Sequence, residues 1–137
     1  MDYLAGKNNG ANVQDKNESG AKQTKKQESQ FSKLEKSILS CLTLDQQAVI
    51  CEKFLTPEII SVLEDKELID CINAFFKNNL NISETSRNAF LHRNTLLYRI
   101  EKISRVTKLN IRNFDDAMTF KILTIVYDKM NERLGRK

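Results

Sequence analysis

The chain has 137 residues, of which 40% are hydrophobic and 29% are charged. This length allows one modest domain with a tail, and such a domain buries only about two thirds of the surface that its unfolded chain exposes. The short chain and the limited fraction of surface that it can bury argue against a large enclosed active site. One histidine and three cysteines, with no Cys-x-x-Cys pair, argue against a zinc ribbon or a thioredoxin-like site. We therefore predict no metal, no cofactor and no enzymatic activity.

The net charge of +4 is distributed unevenly along the chain. Residues 31–70 carry four basic and eight acidic side chains, whereas residues 71–114 carry eight basic and two acidic ones. A positively charged block of this kind favours an anionic partner. No apolar stretch approaches the roughly 20 residues that span a bilayer, and the N-terminus lacks the apolar core of a secretory signal. We therefore expect a cytoplasmic protein without a membrane partner, with buried and reduced cysteines.

The composition divides the chain into four segments. Residues 1–30 contain three of the four glycines and mostly polar side chains, so ordering them would bury too little apolar surface to offset the entropy cost, and they are predicted to be a disordered polar tail. From residue 31 onward apolar residues recur at helical spacing with no strand-like alternation, which predicts an all-α protein. We expect an N-terminal helical region at 31–64, a DNA-binding domain at 65–131 and a basic tail at 132–137.

Helix-starting signals place the first four helices. Ser32 is the expected N-cap of the first helix, and Thr43 precedes the second. The third begins at Thr56-Pro57, where a hydroxyl cap is followed by a proline in the first helical position. Asp65 is expected to cap a fourth helix that ends at Asn78-Asn79.

Residues 82–107 predict two helices separated by a tight turn. Ser83 is expected to cap the first of these helices, and Leu91-His92 interrupts the helical pattern. The second helix is expected from Arg93 to about Thr107, with a buried stripe formed by Leu96, Ile100, Ile103 and Thr107. The opposite face is expected to carry the polar and basic residues Arg93, Asn94, Tyr98, Lys102 and Arg105. A short helix, a turn and a longer cationic helix form a helix-turn-helix, whose second helix enters the major groove of DNA.

The start of the second helix carries side chains suited to reading bases. Arg93 can bond guanine bidentately, Asn94 can do the same with adenine, and Thr95 can contact base edges or phosphate. We therefore predict that four residues contact bases or line the groove contact: Arg93, Asn94, Thr95 and Tyr98. Contacts to the DNA backbone are predicted for the surrounding residues Arg87, His92, Arg99, Lys102 and Arg105. His92 is expected to act as a helix cap or as a phosphate donor.

The same segment carries a recognisable motif, His92-Arg93-Asn94-Thr95-Leu96 followed by Tyr98-Arg99-Ile100. It resembles the C-terminal helix-turn-helix domain of the PucR/CdaR family of bacterial transcription regulators, which is similar to the Fis-type helix-turn-helix. The resemblance continues into the closing helix and runs upstream more loosely to about residue 65. It implies binding of double-stranded DNA at the nucleoid by a dimer with two recognition helices in successive major grooves. It also implies that the four groove residues above contact DNA.

The chain departs from this family's pattern in three ways. Family members usually have a basic residue at the position of Leu97 and a small apolar residue at that of Ser86. Leu97 is expected either to pack against the neighbouring helix or to contact a thymine methyl group. Family members also usually carry a large sensor region before this domain, whereas residues 1–64 precede it here, so no sensed ligand is carried over.

The closing helix is expected to begin at Asn113 or Asp115. Its apolar side is predicted to consist of Ala117, Met118, Ile122, Ile125 and Val126. Phe114, Phe120 and Tyr127 widen the apolar surface beyond what one small helix-turn-helix core is expected to bury. This surface is either ordinary core or part of a homodimer interface formed by this helix or by the helices of 31–63.

Three functions are compatible with the sequence. The leading prediction is a DNA-binding transcription regulator, acting as a homodimer. The first alternative is a protein-interaction adaptor that retains the helix-turn-helix fold and binds a protein partner through the acidic residues 31–70. The second alternative is a non-specific nucleoid-associated protein.

Overall fold

A computed structural model describes residues 27–135, which form seven α-helices and no strand. The helices are α1 (Gln30–Cys41), α2 (Leu44–Phe54), α3 (Pro57–Leu63), α4 (Lys66–Lys77), α5 (Ile82–Asn88), α6 (Arg93–Thr107) and α7 (Phe114–Arg133). The all-α prediction is therefore confirmed. Most of the predicted N-terminal tail, 1–26, lies outside the described residues, as do the last two residues of the predicted basic tail. Within 27–135, no helix has the length and apolarity to cross a membrane.

Side-chain caps start three of these helices where the sequence predicts them. At α2, Thr43 Oγ1 accepts a hydrogen bond from the backbone N–H of Gln46, and Gln46 Oε1 accepts one from that of Thr43. Thr56 caps α3 ahead of its proline, and Asp65 caps α4. These caps satisfy N–H groups that have no partner inside the helix, which is why a short local motif sets the first residue.

Two predicted caps are wrong, and the reason is the same in both cases. In α1, Ser29 Oγ accepts a hydrogen bond from the N–H of Ser32 at 3.1 Å, so Ser32 lies inside the helix. In α5, Asn81 Oδ1 accepts from the N–H of Glu84 at 2.8 Å, and Ser83 lies in the first turn. A residue with good capping chemistry precedes each predicted cap and starts the helix earlier.

The structure divides into two compact units, and the division falls inside α1, after Leu34. In the second unit α6 packs against α3, α4 and α5, while α2 packs against α7. The side chains with almost no exposure come from five helices and one loop: Val62, Ile72, Phe75, Thr85, Leu96, Ile100, Ile103, Ile111 and Phe120. The inner face of α6 is thus embedded in the core, so its outer face has a fixed orientation.

The closing helix α7 buries only part of the apolar side predicted for it, namely Ala117 and Val126. Its buried residues are Ala117, Phe120, Leu123, Val126 and Tyr127. Met118 and Ile122 are exposed instead. The Tyr127 hydroxyl donates a hydrogen bond to Glu64 Oε2 at 2.7 Å, which ties the helix to the end of α3. Apolar residues occur all around α7, so the rest of the core decides which side is buried.

The three cysteines are free, and they differ in exposure. Cys71 is buried as predicted, Cys51 is half-buried, and Cys41 is exposed. The expectation that all three are buried is therefore wrong for Cys41. This residue is the last of α1, a helix that buries none of its residues.

Candidate nucleic-acid interface

The turn between α5 and α6 is closed by Ser86. Its Oγ donates a hydrogen bond to the carbonyl of Leu91 at 2.7 Å, and the N–H of Leu91 donates to the carbonyl of Ser86 at 3.0 Å. The fully buried Thr85 donates its hydroxyl to the carbonyl of Asn81 at 2.7 Å. The hydroxyl at position 86 therefore holds the turn that sets the angle between the two helices.

His92 is the N-cap of α6, so the cap that the sequence predicts is confirmed. Its Nδ1 accepts a hydrogen bond from the N–H of Asn94 at 3.3 Å, and α6 begins at Arg93 as expected. A phosphate contact by the same ring stays a prediction. Residues 27–135 contain no group of three or more histidine, cysteine or acidic side chains that could hold a metal.

The two faces of α6 have opposite character. Leu96, Ile100, Ile103 and Thr107 are all buried, as predicted. Asn94, Tyr98 and Arg105 are spaced at i, i+4 and i+11, which places them on one face of a helix. All three are exposed, and Tyr98 is 60% exposed. These three side chains form the outward face of α6, directed away from the core.

The outward face also includes one acidic residue that the predicted site omits. Glu101 is exposed and follows Asn94 by two helical turns. Its charge would repel phosphate oxygens, whereas a carboxylate can accept a hydrogen bond from the amino group of cytosine. Lys102 and Thr95, beside this face, are half-buried.

Arg93 lies on the side of α6 that faces α5. Arg93 precedes Ile100 by seven residues, or two helical turns, so the two residues lie on the same side of α6. Arg93 is nevertheless exposed, because it belongs to the first turn of the helix. Its Nη1 donates a hydrogen bond to Ser83 Oγ at 3.3 Å. The expectation that Arg93 lies on the face opposite the core is therefore wrong. Ser83, which was expected only to cap α5, instead orients this arginine.

Two other arginines of the predicted site are paired with carboxylates. Arg99 is only 23% exposed, and its Nη2 lies 3.6 Å from Glu67 Oε2 of α4. Arg87 Nη2 lies 3.0 Å from Glu84 Oε2 within α5. Arg99 is thus directed toward α4 rather than along the outward face. Leu97 packs against the core, which decides between its two predicted roles in favour of packing.

A comparison with known families covers this part of the chain. Residues 68–125 match the family model of the PucR C-terminal helix-turn-helix domain. The chain carries a PucR C-terminal helix-turn-helix domain. The match begins inside α4, includes all of α5 and α6, and ends inside α7. The resemblance drawn from the motif is therefore confirmed.

Curated relatives match between a third and a half of the chain. The carbohydrate diacid regulator of Escherichia coli K12 is 47% identical over 45 residues, which is 33% of this chain and 12% of the relative. An uncharacterized protein of Bacillus subtilis 168 is 31% identical over 67 residues, 49% of this chain and 18% of the relative. The purine catabolism regulatory protein of the same organism is 27% identical over 59 residues, which is 43% of this chain and 11% of the relative. The chain therefore spans less than a fifth of each relative's length. No solved structure matches it.

Proposed function

We propose that this protein is a bacterial transcription regulator that binds double-stranded DNA by docking α6 in the major groove, and that it is not an enzyme. The observation that carries the proposal is the outward face of α6. An amide, a phenol and a guanidinium project there from a helix whose opposite side is held in the core. The names of two relatives, a carbohydrate diacid regulator and a purine catabolism regulatory protein, support regulation as the role. The proposal places the protein on the nucleoid in the cytoplasm.

Each side chain has a role that its position allows. Asn94 is suited to pair with adenine, and Arg93, held by Ser83 at the start of α6, is suited to guanine. Thr95 and Tyr98 complete the groove contact. Phosphates on either side are contacted by Arg87, His92, Lys102 and Arg105. Arg99 contributes by bracing α6 against α4 through Glu67.

We also propose that the DNA-binding form is a homodimer joined through α7. Phe114, Met118, Ile122 and Ile125 recur at i, i+4, i+8 and i+11, which aligns them on one side of the helix. Phe114 is 68% exposed and Ile122 47% exposed. A largely exposed apolar stripe marks an interaction surface, and a two-fold symmetric dimer pairs such a surface with itself. A dimer also adds contact area, since one small module buries only about 600–1,000 Å² on DNA.

A binding assay with genomic fragments tests the DNA proposal. The wild-type protein is compared with the double variant Arg93→Ala/Asn94→Ala at two salt concentrations. We expect the variant to bind its preferred fragment at least about tenfold more weakly, because each bidentate base contact contributes about 1–3 kcal/mol of discrimination. Lys66→Ala is a matched control, because it removes an exposed cation of α4 that pairs with its helical neighbour Asp70 and has no role in the proposed interface.

Other outcomes would favour the alternatives. Unchanged affinity in the double variant contradicts the role of α6. Equal affinity for all duplexes indicates non-specific packaging of DNA. Failure to retard any fragment at low salt, together with a stable protein partner in a pull-down, indicates an adaptor that uses residues 31–70.

A further inference from the structure

The turn between α5 and α6 contains an exposed aromatic residue in an unfavourable backbone conformation. Phe90 is 93% exposed and has a φ of 56°. This left-handed region is sterically costly for a bulky side chain. A fully exposed phenyl ring also leaves its whole apolar surface in water. Phe90 therefore strains the folded backbone, and its ring contributes almost no buried apolar surface to the stability of the fold.

The backbone conformation is needed, but the phenyl ring is not. The N–H of Phe90 donates to the carbonyl of Arg87 at 3.4 Å, and the next N–H, that of Leu91, donates to Ser86 at 3.0 Å. These hydrogen bonds hold the turn in the left-handed conformation. Glycine adopts that conformation without steric cost. The fold would therefore be more stable with glycine at position 90, and the ring requires an explanation outside the fold.

The position of Phe90 indicates what the ring meets. It precedes His92, the N-cap of α6, by two residues, and consecutive Cα atoms are about 3.8 Å apart, so the two Cα atoms lie within about 8 Å of each other. Arg93 follows immediately after His92, and Arg87 is joined to Phe90 by a backbone hydrogen bond. The exposed Phe90 therefore lies in the turn that leads directly into the helix that the proposed function places in the groove.

We propose that Phe90 makes an apolar contact with DNA at the edge of the groove that α6 enters. This inference rests on the proposed function. The edge of the groove presents two apolar groups, the methyl group of thymine and the carbon atoms of deoxyribose, and phenylalanine is a known type of partner for the thymine methyl. Burying the ring against either group removes its apolar surface from water only in the complex. Phe90 then adds affinity without adding charge.

The experiment combines unfolding and binding measurements on the full chain. The probe is a labelled duplex selected as the tightest binder of the wild-type protein from a random-sequence pool. We expect Phe90→Gly to raise the midpoint of thermal unfolding and to weaken binding about tenfold. Its salt dependence should match that of the wild type because no phosphate contact is lost, whereas Arg105→Ala, which removes a proposed phosphate contact, should reduce the slope. Phe90→Tyr should keep affinity within about twofold, because the apolar ring is retained.

Asn79→Gly is the matched control. Asn79 is exposed, has a φ of 58° and lies between α4 and α5. Its replacement should leave affinity unchanged, which separates the loss of the ring from the gain of a glycine.

The same duplex with deoxyuridine in place of thymidine distinguishes the two groups that the ring could contact, the thymine methyl and deoxyribose. Weaker wild-type binding to that duplex identifies the thymine methyl, and unchanged binding identifies deoxyribose.

Three results would overturn the inference. The first is a Phe90→Gly variant with wild-type affinity while Arg93→Ala/Asn94→Ala binds weakly, which removes the Phe90 contact but keeps the proposed function. The second is a Phe90→Gly variant that is less stable than the wild type, because the ring would then support the fold. The third is a wild-type protein that binds no duplex in the pool, which overturns the proposed function as well.

Discussion

Single residues in left-handed conformations end several helices of this protein. Lys108 has a φ of 67° after the last turn of α6, and its N–H donates to the carbonyl of Ser104 at 2.8 Å. A residue with a Cβ atom is strained there, and glycine is not. We expect Lys108→Gly to increase the free energy of unfolding by about 1 kcal/mol, measured by urea denaturation. Lys108→Ala removes the same charge while keeping the strain, so a glycine variant no more stable than the alanine variant would contradict this prediction.

The cysteines are predicted to react in order of exposure. Burial raises the pKa of Cys71, an effect that the nearby Arg99 partly opposes, and burial also raises the pKa of Cys51. Only the thiolate reacts with thiol reagents. We therefore expect Cys41 to be labelled first, Cys51 more slowly, and Cys71 only when the protein opens, as followed by mass spectrometry of labelled peptides. Early labelling of Cys71 would show that α4 is not packed as described.

The raised pKa of Cys71 also predicts a pH dependence of stability. In the folded protein the thiol keeps its proton to a higher pH than in the unfolded chain, where the pKa is about 8.5. The protonated thiol's contribution to the free energy of unfolding is therefore fully present below the pKa of the unfolded chain. It is lost as the pH rises through the pKa of the folded protein. Cys71→Ala lacks this titration, so its unfolding free energy should decline less than that of the wild type between neutral and alkaline pH. Parallel declines would contradict the expectation.

Among the elements, the α5–α6 pair depends on the hydroxyl that closes its turn. We expect Ser86→Ala to lower the free energy of unfolding by about 1 kcal/mol, because the half-buried carbonyl of Leu91 loses its donor. Ser61→Ala is the control: Ser61 makes the same type of bond, to the carbonyl of Glu58, on an exposed surface where water replaces it. Denaturation curves of the two variants should differ, and coincident curves would count against the role of Ser86.

Most element boundaries could be predicted because their causes are local. The starts of α2, α3, α4 and α6 follow from caps within a few residues of each helix. The errors at Ser32 and Ser83 arise because several adjacent residues can cap, and the sequence does not rank them. The helix that carries the candidate site, and its buried stripe, could also be predicted. The directions of the Arg93 and Arg99 side chains could not be predicted, because each is set by a partner on another helix. Arg93 is bonded to Ser83 of α5, and Arg99 is paired with Glu67 of α4.

For the molecule as a whole, the exposed stripe of α7 predicts the oligomeric state. We expect the wild-type protein to form dimers in sedimentation experiments and Ile122→Asp to be monomeric, because a carboxylate would be buried in the interface. Loss of the second DNA-binding module should weaken operator binding by about 100-fold. Thr119→Asp places the same charge at an exposed position of α7 outside the stripe and should remain dimeric. A wild-type protein that is monomeric at the concentrations where it binds DNA would exclude this interface.

The all-α class, the helix-turn-helix inside the basic block and the Arg93-Asn94-Thr95 start of α6 all follow from the amino-acid sequence alone. Periodicity, caps and turns determine these features, and the groups that form them lie within a few residues of each other. Only the packed fold shows that α7 buries Phe120 and Tyr127 and exposes Ile122. It also shows that Phe90 stands exposed beside the start of α6. The physical reason is that the choice of face depends on core surfaces contributed by residues distant in the chain, which no local pattern contains.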